Sequence, residues 1–240
     1  MNYHPKINIS ENEYLLDIRD FGLVRCYNAL KKDTNTMDVR YRELHWLASL
    51  INKVGFNLEF GVYSGRTINC LSSLRPDLSF VGFDSFEGLP SDWDMGGKLV
   101  KKEYFKKQEM PIVNQNVTLI KGFFDKTINK WILSLNKEQL KKNKKFISYL
   151  HIDGDLYSSA IDVLFGLNEF IKPGTIIRFD ELCCWRTIFQ DPVSQIARAY
   201  YTTWREHEWK ALNEWILLKN RKVLPICRNW FQSGTVIVTQ

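Results

Sequence analysis

No stretch of this 240-residue chain holds about 18 consecutive uncharged apolar residues, the length a membrane-spanning helix needs. The opening residues, Met1 to Lys6, also lack the apolar core of a signal peptide, so a soluble, unsecreted, cytoplasmic protein is expected, with no membrane partner. Cysteine is scarce and odd in number. Cys26, Cys70, Cys183, Cys184 and Cys227 give neither the even count of a disulfide framework nor the spacing of a zinc site, which points to a reducing compartment. There is no internal repeat and no nucleic-acid fold signature. The net charge of +6 would permit nucleic-acid binding, but the basic residues gather mainly in two runs, Lys101 to Lys107 and Lys137 to Lys145. Hydrated loop and helix faces account for such runs; attraction of a phosphorylated or nucleotide-linked substrate is the sharper alternative. Nucleic acid is not an expected partner.

What the chain does hold is an ordinary globular composition, 45% hydrophobic and 25% charged, with an aromatic share of 14% that suits a well-filled interior or an aromatic-lined pocket. Single cores stop growing near about 250 residues, so one α/β domain with extra helices is expected. Residues Glu13 to about Lys32 carry apolar side chains at helical intervals, with Gly22 as a break, and a loop follows over 32–36. Asp38 can then cap a helix burying Tyr41, Leu44, Leu47, Ala48 and Ile51. Beyond it, short apolar runs alternate with helical stripes. Strands are expected at 57–60, 80–83, 117–120, 146–152 and 175–179, and helices at 65–74, 125–135 and 157–171. Such alternation implies a mainly parallel sheet, which binds ligands beyond the carboxyl ends of its strands. Residues 91–115 read as an irregular insertion, either a binding loop or a plain surface excursion. In the tail, a helix is expected over about 191–206, and strand-like runs at 215–218 and 235–238, joined by a connection containing Pro225, suggest an antiparallel hairpin at the sheet edge.

The first strand delivers the most informative stretch, Leu58-Glu59-Phe60-Gly61-Val62-Tyr63-Ser64-Gly65-Arg66-Thr67. Gly61 and Gly65 can take backbone angles closed to other residues and let a ligand approach the main chain. The G-x-G-x-x-G order of a dinucleotide site is absent, and nothing nearby supplies a cation for a 2′-phosphate. Asp84 ends the second strand where a nucleoside site holds ribose hydroxyls, which its two oxygens can accept. A nucleoside site without a pyrophosphate cradle follows, and S-adenosylmethionine is the common cofactor that fits. Capping of the turn is the plain alternative for Glu59 and Asp84. Phe86, Phe123 and Phe124 can flank adenine or simply pack.

A second group of acids falls at the ends of the fourth and fifth strands: Asp153, Asp180 and Glu181. Converging carboxylates repel and raise one another's pKa unless a hard divalent cation, Mg2+ or Ca2+, sits among them. Such a cation would lower the pKa of a substrate hydroxyl, with Asp153 the first candidate for proton acceptor. Capping of the next helix is the alternative for Asp153 and Asp155. His151 reads as packed, not catalytic, and Cys183-Cys184 has no base at a recognisable spacing.

The first stretch, together with Phe83-Asp84-Ser85-Phe86-Glu87-Gly88-Leu89-Pro90, Lys121-Gly122-Phe123-Phe124-Asp125-Lys126-Thr127, His151-Ile152-Asp153-Gly154-Asp155-Leu156-Tyr157-Ser158-Ser159 and Phe179-Asp180-Glu181, resembles the macrocin O-methyltransferase type of class I S-adenosylmethionine-dependent methyltransferase. The likeness runs from about Thr36 to Glu181. It implies a Rossmann-like α/β fold whose seven-stranded sheet is mostly parallel with a reversed last strand, helices on both faces and an N-terminal helical extension. It implies metal-assisted methylation of a sugar hydroxyl, with Asp153, Asp180 and Glu181 as ligands of Mg2+ or another hard cation. Together with the reading of the residues, it sets the expected cofactor contacts at Met37, Glu59, Gly61, Tyr63, Ser64, Gly65, Thr67, Asp84, Ser85, Phe86, Gly122, Phe123 and Asp153. Arg66 stands where the family commonly has a second glycine, and Asp180-Glu181-Leu182 where it commonly has two aspartates and a tyrosine. Residues 1–52 are expected to form a helical extension or lid and 53–240 the methyltransferase domain. The expected partner is a small-molecule or saccharide acceptor, and self-association is left open. Rival readings are a catechol-like acceptor, or a non-catalytic protein that keeps the nucleoside fold.

Overall fold

The computed structural model describes residues 19–20, 39–183, 201–228 and 232–240. The helix expected over Glu13 to Lys32, the loop after it, Met37, Asp38 and residues 191–200 of the expected tail helix lie outside these residues.

Strands β1 (Arg19–Asp20), β2 (Phe56–Phe60), β3 (Phe80–Asp84), β6 (Val117–Lys121), β7 (Ile147–Ile152), β8 (Ile176–Phe179), β9 (Val223–Arg228) and β10 (Gly234–Val238) form one sheet in the order β1-β9-β10-β8-β7-β2-β3-β6. A second, two-stranded ribbon pairs β4 (Trp93–Asp94) with β5 (Leu99–Val100). The helices are α1 (Val39–Leu50), α2 (Arg66–Leu74), α3 (Phe124–Ser134), α4 (Lys137–Lys142), α5 (Tyr157–Gly166) and α6 (Glu208–Leu218). Strands β2 and β7 are buried along their whole length, as parallel strands covered on both faces must be. One core joins α1 and α2 to Phe80, Tyr149 and Ile176; the other joins α3, α5 and α6 to Leu58, Phe60, Leu150 and Phe179.

The seven-stranded sheet with one reversed strand is therefore present, and β1 adds a two-residue parallel rung beside β9. The reversed strand β10 runs antiparallel to both β8 and β9, so the last strand is inserted inside the edge, not laid along it. From β2 the chain proceeds outward through β3 to β6, then returns to β7 on the other side of β2. A reversal of strand order of this kind is where open α/β sheets bind ligands, beyond the carboxyl ends of β2 and β7.

Three local expectations need correction. Residues 215–218 end helix α6; Trp209, Leu212, Trp215 and Ile216 are buried at helical spacing, and a four-residue apolar run is too short to reveal its own period. Pro225 lies within β9, not in a connection, at a place where the pairing slips from Thr235–Cys227 to Val236–Pro225. A bulge of this kind tolerates the missing N–H of proline. The insertion at 91–115 is not irregular throughout. It holds the β4–β5 ribbon and a 3-10 turn over Lys102–Phe105, and its Trp93 is buried edge-on to Tyr201. Most of the second lysine run forms α4, opened by a capping box between Asn136 and Gln139 and exposed except at Leu140, which packs on the core.

Candidate active site

A cavity of about 860 Å3 opens over the carboxyl ends of β2, β3, β7 and β8. Of the expected residues, Gly61, Tyr63, Ser64, Thr67, Asp84, Ser85, Phe123, Asp153, Asp180 and Glu181 line it. Glu59, Gly65, Phe86 and Gly122 do not, and Met37 falls outside the described residues.

The turn after β2 is built from left-handed residues: Gly61 at φ 96°, Tyr63 at φ 46° and Gly65 at φ 76°. Gly65 donates its N–H to the Val62 carbonyl at 2.8 Å and starts α2. A methyl group at Gly61 would collide with the Asp153 carbonyl, so this glycine lets the β2 and β7 loops touch. Asp84 Oδ2 accepts the N–H groups of Val62 at 2.9 Å and Tyr63 at 2.7 Å, and Oδ1 accepts that of Phe86 at 2.6 Å. The carboxylate thus ties two loops together while lining the cavity. A carboxylate offers about four acceptor positions, so three main-chain bonds leave one, on Oδ1, where a pair of ribose hydroxyls was expected.

Glu59 is buried at 3% exposure below the cavity, and its Oε2 meets His151 Nδ1 at 3.0 Å. Arg178 Nη1 meets His151 Nε2 at 2.5 Å and Asp180 Oδ1 at 2.6 Å, and Nη2 meets Glu43 Oε2 at 3.2 Å. The register explains the chain of contacts: Glu59 pairs with His151, and His151 with Arg178, on neighbouring strands. All three therefore point to the face covered by α1, which brings Glu43. A ring that donates from Nδ1 to Glu59 and accepts at Nε2 from Arg178 satisfies both contacts. His151, expected to be packed, is fully buried, but within a polar network and not among hydrocarbons.

Beyond the strand ends lies a set of acids with a different character. Oxygens of Asp153, Asp155 and Glu181 lie within 4.8 Å of one another; a second group within the same distance joins His151, Asp153 and Asp180. The expected set of Asp153, Asp180 and Glu181 does not form one group of that size. Burial, and then the Asp180 charge, push the Asp153 carboxyl up to about 7. Burial followed by neighbouring carboxylates lifts Asp155 and Glu181 well above the usual carboxylate range. Glu208, the first residue of α6, is also fully buried and shifted the same way. Its Oε2 accepts the Glu181 N–H at 3.0 Å. This all-oxygen, strongly anionic donor set fits a hard divalent cation and does not fit the softer metals.

Sequence reasoning treated Asp155 as a possible helix cap and missed Arg178, Glu43 and Glu208. Glu43 had left a trace: it lies four residues before Leu47 and one before Leu44, on the apolar side of α1, where a carboxylate requires a buried partner. Glu208 left none, since only the tertiary fold brings the start of α6 to Glu181.

The reversal of strand order beside β2, the inserted antiparallel β10 and the glycine turn facing an acid after β3 define a class I S-adenosylmethionine-dependent methyltransferase. The sequence agrees. Residues 58–182, more than half of the chain, match the model of the family described as "Methyltransferase domain", and the chain belongs to that family. No curated protein sequence matches the chain. Among solved structures, CalS11, a calicheamicin methyltransferase, is similar at 18% identity and a TM-score of 0.56, over 89% of this chain and 90% of that one. The O-methyltransferase NovP is similar at 16% identity and a TM-score of 0.55, over 85% and 81%. An apo structure of CalS11, a TDP-rhamnose 3'-O-methyltransferase, is similar at 19% identity and a TM-score of 0.50, over 89% and 91%. At these identities the likeness is one of fold. Among the described residues, no helix is long and apolar enough to cross a membrane.

Proposed function

We propose that this protein is an S-adenosylmethionine-dependent O-methyltransferase of the macrocin O-methyltransferase type, which methylates a hydroxyl group of a sugar or glycosylated small molecule with the help of a divalent cation such as Mg2+. The observation that carries the reading is the meeting, in one cavity of about 860 Å3, of the glycine turn braced by Asp84 and the buried acids around Asp153. A cavity of this size accommodates a nucleoside and a small acceptor together. The sugar acceptor is favoured by the likeness to CalS11, a TDP-rhamnose 3'-O-methyltransferase.

In this reading residues 53–240 form the methyltransferase domain and 1–52 its extension, with Met37 keeping the cofactor contact that the family resemblance implies. The turn from Gly61 to Thr67 and the residues Ser85 and Phe123 face the cofactor, and Asp84 fixes the turn's N–H groups. Glu59, set back from the cavity, acts through His151 on the strand ends. When bound, S-adenosylmethionine supplies an electrophilic methyl group, and a hard cation among Asp153 and Glu181 would lower the pKa of an alcohol. Asp153 receives the hydroxyl proton.

Calorimetry with S-adenosylhomocysteine tests the cofactor, and a screen of nucleoside-diphosphate sugars, glycosides and catechols, with and without Mg2+, tests the acceptor. Micromolar or tighter binding and Mg2+-stimulated methylation of a sugar hydroxyl are expected. Absence of cofactor binding overturns the whole reading, and turnover confined to catechols overturns the acceptor.

A further inference from the structure

Two basic side chains stand at one end of the cavity with no carboxylate to answer them. Arg66, Lys107 and Lys126 all line it, and Lys126 is paired with Asp125 at 2.8 Å, but neither Arg66 nor Lys107 lies within ion-pair distance of an acid among the described residues. Neither is among the expected cofactor contacts. Arg66 occupies the place where the macrocin-type family commonly has a glycine, and Lys107 ends the first lysine run. Arg66 is also the first residue of α2, where the helix dipole disfavours a cation, so the helix itself gives this charge no support.

Lys107 is placed by the 91–115 insertion. Its main-chain N–H donates to the Phe86 carbonyl at 3.0 Å, and its Nζ lies 4.2 Å from the centroid of the Tyr63 ring, with Phe105 edge-on to the same ring at 5.6 Å. Further along, Asn69 of α2 donates to the Ile112 carbonyl at 3.0 Å and accepts the Asn114 N–H at 2.9 Å. The return leg of the insertion is therefore fastened along the glycine turn and the start of α2. It brings a half-buried ammonium to the same turn that leads into Arg66.

The cavity is thereby polarised. Cations stand by the turn after β2, while Asp153, Asp155 and Glu181 stand past the ends of β7 and β8. The α-carboxylate is the only anionic group of S-adenosylmethionine, and a short carbon chain separates it from the positive sulfonium. With the carboxylate at the turn, both charges face groups of opposite sign; with the cofactor reversed, both face groups of like sign.

We infer that Arg66, from α2, and Lys107, from the insertion, bind the α-carboxylate of the cofactor, so that the insertion takes part in cofactor recognition. This rests on the S-adenosylmethionine reading above and adds two binding residues to it. A guanidinium can present two N–H groups to the two carboxylate oxygens, and an ammonium adds a further charge-assisted bond.

The test is calorimetry on the full chain and on R66Q, K107M and R66Q/K107M, titrated with S-adenosylhomocysteine and with its decarboxylated analogue, which differs only in lacking the carboxylate. Methionine keeps an apolar stem over Tyr63, and glutamine is as good a helix former as arginine, so charge is what changes. Each single variant is expected to bind S-adenosylhomocysteine about five- to tenfold more weakly and the double variant at least about thirtyfold, while all four proteins bind the decarboxylated analogue within about twofold of one another. Raising salt from about 50 to 300 mM should weaken S-adenosylhomocysteine more in wild type than in the double variant. Equal losses for both ligands overturn the inference, since they mean that the two residues shape the turn without meeting the carboxylate. Full S-adenosylhomocysteine affinity in the double variant overturns it too, including the case in which that variant loses only a phosphorylated acceptor, probed with thymidine diphosphate. Either result leaves the methyltransferase reading standing, whereas wild-type protein that binds neither cofactor ligand removes both.

Discussion

Replacing Arg178 by methionine tests whether the fold depends on the buried network under the site. The arginine is 1% exposed, Glu43 is 0% exposed, and Asp180 is the third member of the set. Methionine fills similar space, so the perturbation is mainly of charge. Breaking a buried ion pair by removing one partner costs about 3–5 kcal/mol, because the other charge stays behind. Whole-domain stability is about 5–15 kcal/mol, so R178M should forfeit a large share of it. Glu43 also accepts from Ser233 Oγ at 3.1 Å, so E43Q keeps some of its bonding and should cost only about 1–2 kcal/mol. The double variant E43Q/R178M then falls short of the summed losses by about 2 kcal/mol, since it no longer strands the Glu43 charge. Urea unfolding, followed by both the fluorescence of the eight tryptophans and circular dichroism, measures all four proteins and exposes any intermediate. R178M within about 1 kcal/mol of wild type, or additivity within about 0.5 kcal/mol, would refute the reasoning.

The metal-free protein should lose stability as pH rises from about 5 to 8. Carboxyls raised by burial keep protons in the folded state that the unfolded chain has already released, so unfolding gains ground across the window between the ordinary aspartate value of 3.8 and about 7 at Asp153. Asp155, Glu181 and Glu208 act in the same direction. Thermal melts in chelator across that range check the slope, Mg2+ should flatten it, and a metal-free melting point that rises with pH contradicts it. For D84N, the new amide N–H2 must face one of three main-chain donors, and a loss of about 1–3 kcal/mol in stability with weaker S-adenosylhomocysteine binding is expected. Unchanged binding by calorimetry would remove Asp84 from the cofactor's surroundings. For G61A, a φ of 96° and the collision with Asp153 should lower the urea midpoint and weaken S-adenosylhomocysteine binding together. A midpoint equal to wild type would mean that the β2 and β7 loops can part freely.

The alternating apolar runs were legible in the sequence because buried parallel strands are apolar along their whole length, and β2, β3, β6, β7 and β8 all fall within a residue or two of where the pattern sets them. The tail was harder to read. Its two runs of similar hydrophobicity take opposite structures, 215–218 helical and 235–238 extended, because what decides between them is packing on α5 in one case and pairing with β8 in the other. Pro225 misled for a related reason: proline excludes a regular ladder, and a bulge removes the regularity at just that residue. In the site, the residues at strand ends were legible since every parallel strand delivers its last residues to the same rim. Residues that reach the site from elsewhere were not. Glu43 comes from α1 and Glu208 from α6, and no local spacing relates either to the residues they meet.

The pleat adds the step that spacing alone could not supply. Glu59, His151 and Arg178 share one face of three adjacent strands, and Asp180, two residues beyond Arg178, continues that face past the end of β8. Glu43 closes the row from above. On this face, three carboxylates meet a guanidinium and an imidazole: Arg178 pairs with Glu43 and Asp180, and Glu59 bonds to His151. Asp153, Asp155, Glu181 and Glu208 lie past the strand ends, where no side chain of this row extends to them within ion-pair distance. The sheet thus partitions its acids by geometry, one set paired within the fold and one left without a basic partner among the described residues. A cation beside the second set would relieve the repulsion among carboxylates that lie close to one another.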